Sequence, residues 1–361
     1  MPSRVFAHIG LPKTGTTYLQ ALLYANREAF HRQGMTVVGR HRLQYDAASE
    51  VTGAKSKRTG LVPTDKWSQV VKLVERADTP VAVLSSERYS LAKRDGAAAF
   101  VDGLSAHDVH VVVTVRDLVA AEPSAWQEYV KNGGTLSWPD FCAQGLAEPV
   151  ELRRRRRIRR VLSAWPRVVP PERIHVVTVP PPGSRRELIF ERFCSVLGAD
   201  PRAMDTLEPQ RRNSALDFVA TEMLRRVNAF EPALPIPAQR GEIKKYLANG
   251  ELSRRSTPIR PALEGEALEH TRAENDWLVQ TLATGGFDVV GDLSDLQGDH
   301  PDAPASYDVP AEDLLDAAVE AVALLALRSH ERGVENRRSS RAMRAVRMVT
   351  GQGEEDGVDE A

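Results

Sequence analysis

Cysteine is scarce in this chain. Among its 361 residues only Cys142 and Cys194 occur, which excludes a disulfide framework and fits a reducing compartment. No Cys and His cluster has the spacing of a zinc site, so no metal is expected. No run of 18 apolar residues is present, so no membrane-spanning helix and no membrane partner are expected. The first residues carry no apolar leader, because Arg4–Ala7 runs straight into a strand-like pattern. A cytoplasmic location is the expectation. The formal net charge is −1, so nothing global points to nucleic acid. There is no internal repeat. What is present is enough apolar material for a core, 42% of residues.

The apolar material is arranged in alternation. Strands are predicted at Val5–Gly10, Thr36–Val38, Val81–Ser85, Val109–Val115 and Ile174–Val179. Helical patterns fall between them at Thr17–Gln33, Lys66–Arg76, Ala97–Leu104, Pro123–Asn132 and Arg153–Arg167. Such alternation predicts an α/β fold, a parallel sheet with helices on both faces. Ligands bind such sheets beyond the carboxyl ends of the strands.

The first strand leads into His8-Ile9-Gly10-Leu11-Pro12-Lys13-Thr14-Gly15-Thr16-Thr17-Tyr18, and a helical pattern follows at once. The first amides of a helix lack internal partners, and the helix dipole adds positive charge there. Lys13 adds a full charge, and Thr14, Thr16 and Thr17 add hydroxyl donors. The stretch reads as a phosphate cradle. A nucleotide-triphosphate loop would place Lys directly after the second Gly of G-x-x-x-x-G-K-[ST]. Here Gly10 and Gly15 have that spacing, but Thr16 stands in the lysine's place and Lys13 precedes Gly15.

This rearranged loop resembles the 5′-phosphosulfate loop of the sulfotransferases that use 3′-phosphoadenosine 5′-phosphosulfate (PAPS), and most of all the soluble bacterial ones. The match runs through Pro12, Lys13, Thr14, Gly15, Thr16, Thr17 and Leu19. A second match follows a hundred residues on. The strand Val109–Val115 ends in Arg116, and Ser124 comes eight residues later, as in the pair that grips the cofactor's 3′-phosphate in that family. The resemblance implies a P-loop-like sulfotransferase fold over roughly residues 4–200, PAPS as sulfuryl donor and 3′-phosphoadenosine 5′-phosphate (PAP) as product. It implies that Lys13 acts on the leaving group, that Thr14–Thr17 hold the 5′-phosphate, and that Arg116 and Ser124 hold the 3′-phosphate. Tyr18 stands where cytosolic members stack a Trp on adenine; a core role is as good a reading. The general base is Glu87, after the strand Val81–Ser85, or else His41. The family's late Arg-Lys-Gly loop is missing, and Arg211, Arg212 or Arg240 are the candidates to replace it. The acceptor is a small molecule or carbohydrate, and homo-oligomerisation is left open. A kinase-like nucleotide-binding protein is the alternative.

Residues 40–63 read as a long basic loop, either a lid or a plain surface excursion. Arg153–Arg160 reads as the solvated face of an amphipathic helix, or else as a contact to an anionic acceptor. Residues 185–197 predict a helix stopped by Gly198, and 214–230 another. Residues 231–262 read as irregular, and Phe287–Leu293 as a short segment packed back on the domain. The expected organisation is a sulfotransferase domain over 1–300, a docking helix over 301–330 with a helical stretch at Leu314–Leu327, and a disordered tail over 331–361, where basic and acidic blocks follow each other.

Overall fold

The computed structural model describes residues 1–56, 59–146, 153–206, 216–230, 235, 239–254, 261–300, 302, 304 and 306–350. The chain divides into two compact units. The first comprises Met1–Tyr129, Leu136–Asn213 and Pro261–Ser306; the second comprises Val130–Thr135, Ser214–Arg260 and Tyr307–Ala361.

The first unit is built on one sheet of six strands: β1 Arg4–His8, β2 Met35–Val37, β3 Val81–Ser85, β4 Asp108–Val115, β5 Ile174–Thr178 and β6 Asp288–Val290. All pairings are parallel, in the order β2-β3-β1-β4-β5-β6. The short segment expected near Phe287–Leu293 is thus the sixth strand. Five strands read as apolar because they are buried on both faces. Along β4, Val109, Val111, Val113 and Val115 face one core and Val112 faces the other.

Helices cover both faces. One face carries α1 (Thr16–Ala25), α2 (Arg27–Arg32) and, after β5, a helix at Leu188–Leu197, through Leu19, Leu22, Phe30, Phe190 and Phe193. The other carries α3 (His41–Val51), α4 (Lys66–Glu75), α5 (Arg94–Asp102), a helix at Arg153–Ala164 and one at Gly265–Thr284, through Ala47, Val70, Phe100, Ile158 and Leu278. Between these, α6 (Leu118–Lys131) and α7 (Trp138–Leu146) follow β4. Numbering in chain order then gives α8 for 153–164, α9 for 188–197, α10 for Phe218–Asn228, α11 for 265–284 and α12 for Ala311–Thr350.

Three expectations are corrected. The long loop over 40–63 contains α3, eleven residues long. Its buried side are Gln44, Ala47, Ala48 and Ser49, small or polar residues that give a faint hydrophobic period. Glu50 at its end accepts hydrogen bonds from the amides of Asp65, Lys66 and Trp67 and so starts α4. The single helix Thr17–Gln33 is two, broken at Asn26, whose amide is held by Leu22 and Asp205 carbonyls. Residues 239–248 form a π-helical segment, followed by a 3-10 turn at Glu251–Arg254, where irregular structure was expected. Gly198 does stop α9, at φ 74.

The second unit packs α10 with the π-helical segment and α12. Asn228 donates to the carbonyls of Val130 and Gly134. Tyr246 donates to the carbonyl of Leu324. The boundary expected at 330/331 falls inside α12, while residues 351–361 lie outside the described residues.

Candidate functional site

The loop between β1 and α1 is built by its own polar groups. Thr14 Oγ1 lies 2.6 Å from the Leu11 carbonyl and 2.6 Å from Thr114 Oγ1 on β4. Thr16 Oγ1 donates to the same carbonyl at 3.1 Å. Both threonines are buried, whereas Thr17 is exposed. Two glycines are forced. A Cβ at Gly10 would lie 2.5 Å from Thr16 Oγ1 and 2.8 Å from His8 Nε2. Gly15 has φ +80, and a Cβ there would lie 2.7 Å from Ile189. The turn brings Gly15 to the start of α1 without a side-chain cap, so the first amides of α1 are free of side-chain oxygen at the cap.

Beneath the loop lies His8, fully buried at the end of β1. Its Nδ1 is 2.8 Å from Ser85 Oγ, which also accepts from Gln20 Nε2. The tautomer sets the direction of this bond: Ser85 donates to Nδ1 when the proton of His8 is on Nε2 and accepts from Nδ1 when it is not. His8 Nε2 is buried with no partner, against Gly10 and Thr16. Burial holds the His8 pKa down at about 3, so a neutral ring faces the underside of the loop.

Lys13 takes the left-handed backbone conformation at φ 66, a position that few residues other than Gly adopt. Its ammonium reaches Glu128 on α6 at 2.9 Å. Glu128 lies one turn beyond Ser124, so the two share a face of α6. The loop after β1 and the helix after β4 therefore meet at Lys13. The two strands are neighbours in the sheet, and the strand order reverses at β1, which is where α/β sheets open a crevice.

Arg116 leaves the end of β4 half-buried. Burial pushes its pKa below the ordinary value, against the opposing effect of Asp117. Among the described residues its guanidinium has no hydrogen-bond partner. Asp117 is spent elsewhere. One carboxylate oxygen accepts from the amides of Val119 and Ala120, and the other is 2.6 Å from His300 Nε2. Asp117 is the cap of α6, which is why that helix begins at Leu118, ahead of the expected Pro123. Ser124 is half-buried on α6.

Of the two base candidates, Glu87 opens a 3-10 turn just past β3. The amide of the preceding Ser86 donates to the carbonyl of His8, so Glu87 emerges at the same sheet edge as the loop. His41 is exposed at the start of α3, its ring 6.0 Å from that of Tyr24. Tyr18 is half-buried with the Arg186 guanidinium 4.7 Å above its ring. Arg211 and Arg212 lie outside the described residues, as does the side chain of Arg240. The basic helix α8 holds Arg159 in a two-pronged pair with Glu274, stacked 3.7 Å over Trp277, while Ile158 and Val161 are buried.

Sequence reasoning passed over Glu128 and His8. His8 stood in plain view two residues before Gly10. Glu128 carried a signal only in hindsight of α6: it falls four residues after Ser124. Among the described residues no group of three His, Cys, Asp or Glu side chains could hold a metal ion, and no helix is long and apolar enough to cross a membrane.

No protein-family model matches the chain, and no curated protein matches it in sequence. Among solved structures the chain is similar to the mouse sulfotransferase SULT7A1 complexed with PAP. The two share 12% identity over 78% of this chain and 85% of that one, with a TM-score of 0.34. A likeness so distant says nothing of the site's residues.

Proposed function

We propose that this protein transfers a sulfuryl group from PAPS to a hydroxyl or amine of a small-molecule or carbohydrate acceptor. The observation that carries this reading is the ion pair of Lys13 with Glu128 on α6, the helix that begins just after the partly desolvated Arg116, which has no partner among the described residues. Two cationic groups and a helix N-terminus then follow the neighbouring strands β1 and β4, which suits a ligand with two separated phosphates. Arg offers a rigid fork for one of them. The displaced lysine distinguishes the loop from that of triphosphate-binding proteins.

The roles follow from position. The α1 amides and the Thr17 hydroxyl hold the 5′-phosphate, and Arg116 with Ser124 holds the 3′-phosphate. Lys13 neutralises the charge that grows on the phosphate oxygen as its bond to sulfur breaks. Glu87 takes the acceptor's proton as the new bond to sulfur forms; His41 is the second candidate.

Two measurements test the reading. PAP is expected to raise the melting temperature more than ATP with magnesium does; the reverse favours the kinase-like alternative. With labelled PAPS, Glu87→Gln should keep PAP affinity and lose most of the turnover. If His41→Ala behaves so and Glu87→Gln does not, the base is His41.

A further inference from the structure

Lys13 is the pivotal cation of the loop, and its ammonium is already engaged. The pair with Glu128, at 2.9 Å, joins side chains that are 28% and 35% exposed, so it is shielded from water more than a surface pair is. A carboxylate at that distance from the ammonium is also close to any anion the ammonium touches, and like charges so close repel. An incoming phosphate and Glu128 therefore compete for one cation.

We propose that Glu128 is a positioning residue that holds Lys13 at the mouth of the cradle, and that anion binding exchanges the Lys13–Glu128 pair for a Lys13–phosphate pair. Three features of the loop fit such an exchange. The backbone at Lys13 is held in the left-handed region at φ 66, so the long flexible stem is the part that has to move. Thr14 and Thr16 are fastened to Leu11 and Thr114, so the rest of the loop stays still while Lys13 swings. The buried, unpartnered Nε2 of His8 lies against Gly10 of the loop, and in the tautomer that protonates it, it is a donor for a negative group above. The ligand class is a dianion of the phosphate or pyrophosphate kind. For PAPS itself the inference rests on the function proposed above.

The consequence is a trade. Glu128 lowers the affinity of the site for anions, and it keeps Lys13 within reach of the phosphate it must neutralise. Removing only the charge, with Glu128→Gln, should tighten pyrophosphate and PAP binding about fivefold, the upper end of what a partly exposed ion pair is worth. Lys13→Ala should weaken both ligands more than loss of one cation explains, because the Glu128 carboxylate then faces the anion without the Lys13 ammonium between them. The double variant Lys13→Ala with Glu128→Gln should recover part of that loss. Glu128→Asp, which keeps the charge, should stay nearer to wild type than Glu128→Gln.

The experiment is calorimetric titration of the full chain and these variants with inorganic pyrophosphate and, separately, with PAP, alongside melting temperatures. Tighter binding by Glu128→Gln and partial rescue in the double variant are the expected results. Pyrophosphate affinity that is unchanged or weaker in a folded Glu128→Gln variant overturns the proposal, as does the absence of rescue. If pyrophosphate follows the expected pattern while PAP does not bind, the exchange stands and the PAPS reading fails. If neither ligand binds wild type, both fail.

Discussion

The two turns that meet at the candidate site spend their polar groups in opposite ways. After β1, the hydroxyls of Thr14 and Thr16 are used up inside the loop, and Lys13 is shared with Glu128. After β4, the acid is used up and the base is left over: Asp117 caps α6 and meets His300, while Arg116 has no partner among the described residues. The first turn is a rigid frame around one movable cation. The second is a cation without a partner among the described residues, just ahead of a capped helix. Residue type alone does not distinguish them, since both offer Lys or Arg with hydroxyl neighbours. What separates them is which hydrogen bonds the fold has already made.

The largest effects should come from the cations, Lys13 on turnover as well as affinity and Arg116 on affinity. Lys13→Ala is expected to lower turnover about a hundredfold or more, as when one charge-stabilising donor is removed, with the melting temperature little changed. Arg116→Ala should act on affinity. A charge-assisted hydrogen bond is worth about 1.5–3 kcal/mol, and the guanidinium can make two. PAP binding should therefore weaken by tens to hundreds of fold, while AMP, which lacks the 3′-phosphate, is little affected. Steady-state kinetics and calorimetry with both ligands check this. Equal losses for PAP and AMP would mean that Arg116 serves the 5′ end, and the contrast between the two turns would collapse.

That contrast also marks where the sequence stops being informative. The sheet was legible because five strands are short β-branched runs buried on both faces. β6 was faint because it has three residues with Asp288 leading. Helix α3 was hidden because Ala and Gln, not Leu, fill its packed side. At the site, Lys13 and Thr17 could be named as candidates from the strand, glycine turn and helix start, and Arg116 and Ser124 from the resemblance to the sulfotransferases. Whether Thr14 and Thr16 face a ligand or the loop's own carbonyl could not, because that depends on a contact to Thr114, one hundred residues away. Glu128 was out of reach for the same reason: its meaning comes from Lys13, 115 residues earlier.

His8 gives a test of how dry the floor of the first turn is. Its pKa in the fold is about 3, against an ordinary 6.5. Between those values the unfolded chain binds a proton that the folded chain refuses. Stability is therefore full above pH 6.5 and falls as pH drops toward 3, by about 1.4 kcal/mol for each pH unit. His110, held at about 4 by burial and by His175, adds a smaller loss over a narrower range, because it is half exposed and solvent screens it. Denaturant unfolding at pH 7, 6 and 5 should show the slope in wild type and a shallower one in His8→Asn. Equal slopes would mean that His8 takes up its proton within the fold and that water reaches the underside of the loop.

The finest contrast lies within the first turn, between Thr14 and Thr17. Thr14 is buried and bonded to Leu11 and Thr114, whereas Thr17 is exposed at the start of α1. Val keeps the shape of Thr and removes the hydroxyl. Thr14→Val leaves the buried Thr114 hydroxyl without its partner, which costs about 1–3 kcal/mol. The Leu11 carbonyl keeps Thr16 as a donor, so the loss should sit toward the low end. The melting temperature should drop by about 1–2 °C for each kcal/mol in a chain of 361 residues, and anion affinity should change little. Thr17→Val should do the opposite. Its melting temperature should match wild type, and pyrophosphate or PAP affinity should fall about threefold to tenfold, the worth of one hydrogen bond near 1 kcal/mol. Thermal melts and titrations on the same two proteins decide it. If Thr14→Val loses affinity and keeps its stability, the Thr14 hydroxyl turns toward the ligand, and the first turn is a mobile gripping loop instead of a frame around Lys13.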